Sequence, residues 1–187
     1  ARVRPYHQLH GRTLAEAVRA AFETSAINGP AHFGDDAASI QTQRVRFLGG
    51  SKIQRLFSVF GINGDESEQQ PPAITALGPV AHVYSPRSLN EDEREFIASE
   101  LAGTHKVPVV LSVGPSGTLG ARTESGRYTL PQDRAELFGA QHPFLDSLGE
   151  DLLRLCEHPD AGDFVLLGWR EGVSPVTFAE ENGAHAG

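Results

Sequence analysis

Three stretches of the chain carry apolar residues at the three- and four-residue spacing of a helix that buries one face. Each begins at a residue that can cap a helix and has a glutamate three positions later, an arrangement called a capping box. The boxes are Thr13 with Glu16, Ser88 with Glu91, and Ser147 with Glu150. The pattern predicts helices over residues 13–25, over residues 88–101, and from residue 147 to the turn at 159–162.

Apolar runs rich in valine and leucine predict strands between these helices. The longer runs cover residues 76–84, 107–113 and 164–169. Two shorter runs, 118–122 and 127–130, flank a turn signal and predict a small antiparallel ribbon. Strands that alternate with helices indicate an α/β or α+β fold, with a mixed sheet and flanking helices.

The pattern weakens between residues 26 and 72, where Gly, Asn, Asp, Gln and Pro dominate. One apolar cluster there predicts a short helix over residues 53–60, capped by Ser51. Residues 61–72 have the composition of an exposed, mobile loop. The expected organisation is a single domain over residues 1–187, with a loop-rich insertion at 26–72 and an ordered α/β core at 73–187.

The composition and net charge argue against some classes of binding partner. The formal net charge of −8 comes without any compensating basic block, which argues against nucleic acid and against an anionic membrane surface. No apolar run approaches the roughly 20 residues of a membrane helix. The single cysteine, Cys156, lies in an apolar stretch and reads as a buried structural thiol, which favours the cytoplasm.

Eight histidines are many for 187 residues. His7 and His10 are three apart, but Gly11 and the following capping box predict that their segment is not helical, so we do not expect a metal pair there. His82 falls in a predicted strand and is expected to be a hydrogen-bonded sheet residue. The histidines beside turn signals are expected at the surface or at helix ends; they are His105, His142 and His158.

Motifs for several chemistries are missing. The sequence has no glycine-rich phosphate loop, no G-x-S-x-G elbow and no HExxH motif. Asp35 and Asp36 are expected to form a turn. Glu180 and Glu181 are expected to be solvated acids, although their position close before His185 leaves a role beside a metal open.

His185 is the strongest candidate for chemistry. It lies one short segment beyond the last predicted strand and is held between Gly183, Ala184, Ala186 and Gly187. Such small neighbours give the ring no apolar surface to pack against and let the backbone approach a ligand closely.

Two groups of segments carry a resemblance to a known family. Residues 108–113, 126–130, 161–169 and 176–187 resemble, in sequence and in order, the C-terminal part of bacterial alkaline-phosphatase superfamily proteins of the type I phosphodiesterase/nucleotide pyrophosphatase kind. Residues 6–18 are similar to the sequence that follows the Asp-His-Gly metal motif in the same proteins. In these relatives the last segment contains Gly-Ser-His-Gly-Gly, and His185 occupies the place of its histidine, with Ala184 and Ala186 for the small Ser and Gly.

The resemblance implies an alkaline-phosphatase-like fold and a role for each of these residues. His185 would be the final ligand of a pair of zinc ions, with Glu181 or Asn182 as hydrogen-bond partners of its ring. The nucleophilic Thr or Ser, the first metal-binding Asp, the Asp-x-x-x-His pair and the Asp-His-Gly motif would lie before Ala1. A chain that starts at Ala1 and has no methionine is itself expected to be a piece of a longer protein.

The resemblance therefore implies the C-terminal part of a metal-dependent phosphodiesterase or nucleotide pyrophosphatase-like hydrolase. This part would supply the last metal ligand, His185, and an insertion that covers the substrate. The substrate of the hydrolase would be a phosphodiester or a nucleotide-like small molecule, and this chain alone would be inactive because the nucleophile is missing. The alternative is a non-catalytic accessory or protein-interaction domain, in which His185 has no catalytic role. The acidic surface and the loop around residues 61–72 would then make the contacts.

Overall fold

One antiparallel sheet of six strands organises the chain. The computed structural model describes residues 3–26, 71–114 and 116–179. Along the sheet the strands follow the order β2-β3-β7-β4-β5-β6, and each neighbouring pair is antiparallel. They span Ala73–Leu77 (β2), Val80–Tyr84 (β3), Val109–Val113 (β4), Leu119–Thr123 (β5), Gly126–Leu130 (β6) and Phe164–Leu167 (β7). A separate two-residue parallel pair joins β1, Arg4–Pro5, to β8, Val176–Thr177.

Helices cover both faces of the sheet. Two of them, α2 and α3, pack together on one face, and α4 and α5 pack together on the other. The described helices span Tyr6–His10 (α1), Leu14–Ala26 (α2), Glu91–Gly103 (α3), Arg134–Phe138 (α4) and Leu145–Glu157 (α5). The structure is therefore a mixed α and β arrangement in three layers, as the fold class predicted.

The central strand β7 supplies buried side chains to both faces. Phe164 and Leu166 lie in the core under α2 and α3, whereas Val165 lies in the core under α4 and α5. Successive side chains of a strand point to opposite faces, so a strand covered on both sides is apolar throughout. This explains why residues 164–167 show no alternation of apolar and polar residues.

The alternation of strands and helices predicted a mixed sheet, with both parallel and antiparallel pairs. This prediction is wrong for these six strands, because each neighbouring pair is antiparallel. Because β3 and β4 are both antiparallel to β7, they run parallel to each other on either side of it. The units β3, α3 and β4 thus form a β-α-β crossover that is split by a later strand. The predicted ribbon at 118–130 is present as β5 and β6, but it forms one edge of the sheet and is not separate from it.

The single strand predicted over residues 76–84 is also wrong. The chain forms a hairpin there, in which Leu77 pairs with Val80 across the turn at Gly78 and Pro79. Gly78 has a φ of +58°, as the first central residue of a two-residue hairpin turn requires. An apolar run long enough for one strand therefore gives two short ones.

Of the three predicted capping boxes, one is present as predicted, one is shifted and one is absent. Thr13 and Glu16 cap α2 as predicted, with the Glu16 N–H donating to Thr13 Oγ1 at 3.2 Å. The box of α3 uses Asn90 and Glu93 in place of Ser88 and Glu91, and asparagine caps a helix as well as serine does. Helix α5 begins at Leu145, before Ser147, and has no side-chain cap.

Several predictions concern residues outside the described ranges. These are the helix at 53–60 with its cap Ser51, most of the loop at 61–72, and nearly all of the insertion at 26–72. The ordered core was predicted over residues 73–187, but it also includes α2. This helix buries Leu14, Val18 and Phe22 in the same hydrophobic cluster as one face of the sheet.

Two helical glycines are expected to respond in opposite ways to replacement by alanine. In α5, a Cβ on Gly149 would lie 2.4 Å from Pro131 Cβ, so Gly149→Ala should lower the free energy of unfolding by about 1–3 kcal/mol through overpacking. In α3, a Cβ on Gly103 meets nothing within 4 Å, so Gly103→Ala should raise it by about 0.5–1 kcal/mol. Urea unfolding of both variants measures this, and a stabilised Gly149→Ala would contradict the close packing of α5 on Pro131.

Candidate functional site

The residues that the resemblance singles out lie outside the described part of the chain. These residues are His185, Glu181 and Asn182. The acidic residues considered in the sequence analysis also lie outside it; they are Asp35, Asp36 and Glu180. What the structure describes are the segments that flank His185 and that precede α2. The position of residues 176–179 fixes the point from which the chain continues toward His185.

The parallel pair β1–β8 brings together the starts of two segments of the resemblance, residues 6–18 directly after β1 and residues 176–187. Arg4 pairs with Val176 and Pro5 with Thr177, and the Arg4 N–H donates to the Pro175 carbonyl at 3.2 Å. One residue further along each segment, the rings of Tyr6 and Phe178 are 5.9 Å apart. Residues 4–6 and 176–178 are thus held side by side and run in the same direction near the sheet.

Gly168 directly follows β7 and allows β8 to cross the end of the sheet at which β7 ends. Its carbonyl accepts the Val176 N–H at 2.8 Å, and a Cβ at position 168 would lie 2.1 Å from the Val176 carbonyl oxygen. The Phe178 N–H donates to the Gly78 carbonyl at 2.8 Å, which ties the segment to the β2–β3 hairpin. Residues 176–179 are consequently buried.

Polar side chains gather beside this crossing. The Tyr6 hydroxyl donates to the His105 carbonyl, and the Tyr6 ring lies 4.6 Å from the ring of His10. Arg12 Nη1 is 2.9 Å from His105 Nδ1. Lys106 follows with a φ of +58°, a left-handed conformation that is uncommon for a residue other than glycine. We call these five residues the polar edge: Tyr6, His10, Arg12, His105 and Lys106.

The surroundings of the polar edge favour neutral imidazoles. Burial lowers the pKa of His105, and the Arg12 guanidinium lowers it further, against a smaller opposing effect of Glu100. Burial also lowers the pKa of His10, and Lys106 and Arg12 add to the effect. Since Arg12 only donates, Nδ1 of His105 accepts and its proton is on Nε2. Burial raises the pKa of Tyr6 to about 12, so its hydroxyl stays protonated.

Neutral imidazole is the form that binds zinc, but the polar edge alone does not make a zinc site. Within residues 3–26, 71–114 and 116–179 there is no group of three or more metal-ligating side chains. A zinc site needs three or four protein ligands. Any metal at this edge would therefore need ligands from elsewhere in the sequence.

The positions of the other histidines agree only in part with those predicted from the neighbouring sequence. The segment of His7 and His10 is helical, contrary to prediction, because Gly11 takes the left-handed conformation that ends a short helix and does not prevent one. His105 lies at a helix end, one of its two predicted positions, because it follows the C-cap of α3 and its N–H donates to the Glu100 carbonyl at 3.0 Å. It is only 4% exposed, since Tyr6 and Arg12 cover it. His82 is a sheet residue that accepts the Gly162 N–H at 3.3 Å, as predicted. His158 is the C-cap of α5, and its ring accepts the Asp160 N–H.

Comparison of this chain with known protein families, with curated proteins and with solved structures found no match. Among the described residues no helix is both long enough and apolar enough to cross a membrane. The case for a function therefore depends on the residues themselves, on their arrangement and on the resemblance of short segments.

Acidification from about pH 7.5 to about pH 5.5 is expected to destabilise the protein. The pKa values of His10, His82 and His105 lie below the usual 6.5 in the folded state, mainly because of burial. The unfolded chain takes up protons near 6.5, so it binds more of them, and stability is lost as the pH falls through this value toward the folded pKa values. Urea unfolding at several pH values measures the loss.

The variant His105→Gln is the control for this prediction. Glutamine keeps an acceptor for Arg12 and removes one titrating group, so the variant should lose less stability on acidification than the original protein. If both lose the same amount, His105 is already protonated or does not titrate in this range.

Cys156 is expected to react slowly with iodoacetamide. Burial, with a contribution from Glu157, raises the pKa of its thiol from 9.0 to about 12, and its side chain packs against the core under α4 and α5. The reactive thiolate should therefore be roughly a thousandfold scarcer than in the unfolded chain at neutral pH. Mass spectrometry of alkylation with and without urea measures this, and equal rates would place the thiol in solvent.

Proposed function

We propose that this chain is part of a zinc-dependent phosphodiesterase or nucleotide pyrophosphatase-like hydrolase of the alkaline phosphatase superfamily. His185 supplies one metal ligand. The β1–β8 pair carries the proposal, because it holds the segment that resembles the continuation of an Asp-His-Gly motif beside the segment that leads to His185. Ligands far apart in a sequence bind the same metal only when the fold joins their segments.

The chemistry explains why a histidine is suited to this place. The pair of zinc ions that the resemblance implies would supply positive charge that stabilises the oxygens of a phosphoryl transfer. A neutral imidazole is a good zinc ligand, and small neighbours allow the backbone to come close to the metals. Glu181 or Asn182 would accept a hydrogen bond from the ring and orient it.

A buried hydroxyl group without a hydrogen-bond partner among the described residues supports the presence of further protein groups at this edge. Thr177 of β8 is 2% exposed, and its hydroxyl has no hydrogen-bond partner among the described residues. Buried hydroxyl groups nearly always have a partner. A polar group from the sequence outside the described ranges would satisfy it, which agrees with a site completed by other segments.

The polar edge supports a phosphate-containing substrate. The protein as a whole carries a net charge of −8, and Lys106 is neutralised by its ion pair with Glu124, but the Arg12 guanidinium lies beside the crossing of β8 with a neutral partner, His105 Nδ1, at 2.9 Å. Arginine and lysine are the usual partners of phosphate oxygens. A phosphodiester or nucleotide-like molecule at the proposed metal site would meet the positive charge of Arg12.

Replacing His185 by alanine should remove one zinc ligand. In the protein encoded by the complete reading frame, His185→Ala is expected to lower the zinc content and to cut hydrolysis of bis(p-nitrophenyl) phosphate by one or more orders of magnitude. Metal analysis after dialysis and initial rates measure the two effects. The reading frame should also encode Asp-His-Gly shortly before Ala1.

His158→Ala is the matched control, because His158 is an exposed residue at the end of α5 and should change neither zinc content nor rate. If His185→Ala leaves both quantities unchanged in an active enzyme, His185 is not a ligand and the family assignment loses its main support.

The alternative function, a non-catalytic interaction domain, is favoured by one observation. Phe144 is 69% exposed and lies 6.1 Å from the ring of His142, which in turn contacts Trp169. An exposed aromatic group of this kind is typical of protein contact surfaces. A reading frame without a Thr or Ser nucleophile after a metal-binding Asp would favour this alternative.

A further inference from the structure

A cavity of about 220 Å³ opens at the other end of β7, where this strand separates from β4. The pairing of the two strands ends at Leu111 and Val165, although β4 continues to Val113 and β7 begins at Phe164. The space between them is lined from both faces of the sheet. Its main contributors are Arg94 of α3, Ser112 and Val113 of β4, Cys156 of α5, Asp163, and Val165 of β7.

A charged pair lines this cavity and is only loosely joined. Arg94 Nη2 is 3.4 Å from Asp163 Oδ1, which is longer than a good N–H···O hydrogen bond. Within the described ranges the Arg94 guanidinium has no other side-chain contact, so most of its five N–H donors are unused. Asp163 is held in place, because its Oδ2 accepts the Ser85 N–H at 2.8 Å.

The rest of the lining is uncharged. Ser112 makes no side-chain hydrogen bond among the described residues, and the Cys156 thiol is protonated at neutral pH since burial raises its pKa to about 12. Val113 and Val165 provide apolar wall. The cavity thus presents one cation, one anion, one hydroxyl group and an aliphatic surface, with a formal charge of zero.

We propose that this cavity binds a small aliphatic α-amino acid as its zwitterion. The carboxylate contacts Arg94 and Ser112, the ammonium contacts Asp163, and the aliphatic side chain packs against Val113 and Val165. In an α-amino acid the two charges are on neighbouring atoms, so the ligand can meet both members of an ion pair that lie side by side. The proposal does not depend on the hydrolase function.

The balance of charge selects this class of ligand over simpler ones. A carboxylate without an ammonium would contact Arg94 but would face Asp163, and an amine without a carboxylate would face Arg94. Like charges brought together in a partly buried site reduce affinity. The cavity is also smaller than the roughly 300–1,000 Å³ pockets that hold drug-sized molecules, which limits the ligand to a small one.

Binding of L-valine and of two single-charge analogues tests the proposal. Isovalerate keeps the carboxylate and lacks the ammonium, and isobutylamine keeps the ammonium and lacks the carboxylate. We expect saturable binding of L-valine with a Kd of about 1 mM, and affinities at least about tenfold lower for both analogues. Amide chemical-shift changes at residues 111–113 and 162–165, followed by NMR titration, give the affinities and the location.

Three variants connect the binding to its residues. Arg94→Gln and Asp163→Asn should each reduce the affinity for L-valine about tenfold or more, and Ser112→Ala about two- to tenfold. Asparagine keeps an acceptor for the Ser85 N–H, so the fold is retained, and thermal unfolding of each variant checks this. Arg154→Gln, an exposed change on α5, is the matched control and should leave the affinity unchanged.

The two charge-removing variants should also invert the preference among analogues. Arg94→Gln should bind isobutylamine better than isovalerate, and Asp163→Asn should do the reverse, a pattern that loss of structure cannot produce. Absence of saturable binding at about 50 mM L-valine would overturn the proposal. Equal affinity for L-valine and isovalerate, or full affinity in Arg94→Gln, would also overturn it.

Discussion

The insertion of β7 between β3 and β4 is the constraint on which the rest of the structure depends. The sheet has two parts that the chain forms from nearby residues, the β2–β3 hairpin and the β4–β5–β6 meander. The last of the six strands in the sequence joins them, and its Phe164, Val165 and Leu166 are almost fully buried. Without it, β3 and β4 would each have an unpaired edge, and both cores would be open to water.

Both candidate sites follow from the ends of this strand. Before Phe164 the chain turns away from β4, which opens the cavity and places Asp163 opposite Arg94. After Leu167, Gly168 lets β8 cross the end of the sheet and meet β1. The strand that completes the core therefore also positions the charged pair at one end and the polar edge at the other.

Much of the local structure could be predicted from the sequence because it depends on near neighbours. Helix α2 with its capping box, the β5–β6 hairpin and the apolar character of β7 are examples. The hairpin at 73–84 was missed because a Gly-Pro turn lies inside an apolar run, and periodicity cannot show where such a run folds back. The cap of α3 was misplaced because serine and asparagine are equivalent caps, and the choice between them depends on which face packs against the sheet.

The features that matter most for function depend on contacts between distant residues. Arg12 and His105 are 93 positions apart, and Tyr6 reaches the carbonyl of the same histidine. The sequence places His105 at the surface or at a helix end, and its burial arises only because Tyr6 and Arg12 cover it. Neither this burial nor the pairing of Arg94 with Asp163 has a local signal, because both arise when separate elements pack together.

The two ends of β7 are far enough apart to act as separate sites. Gly168 follows Asp163 by five positions, a distance of about 17 Å in an extended strand. Over that distance exposed charges are largely screened at physiological ionic strength, so the Arg94–Asp163 pair has little direct effect on the polar edge. A small ligand in the cavity would stabilise the folded state by contacting β4, α3 and the start of β7. Its effect on the proposed metal site would have to pass through the position of β7 itself, which packing on both faces makes rigid.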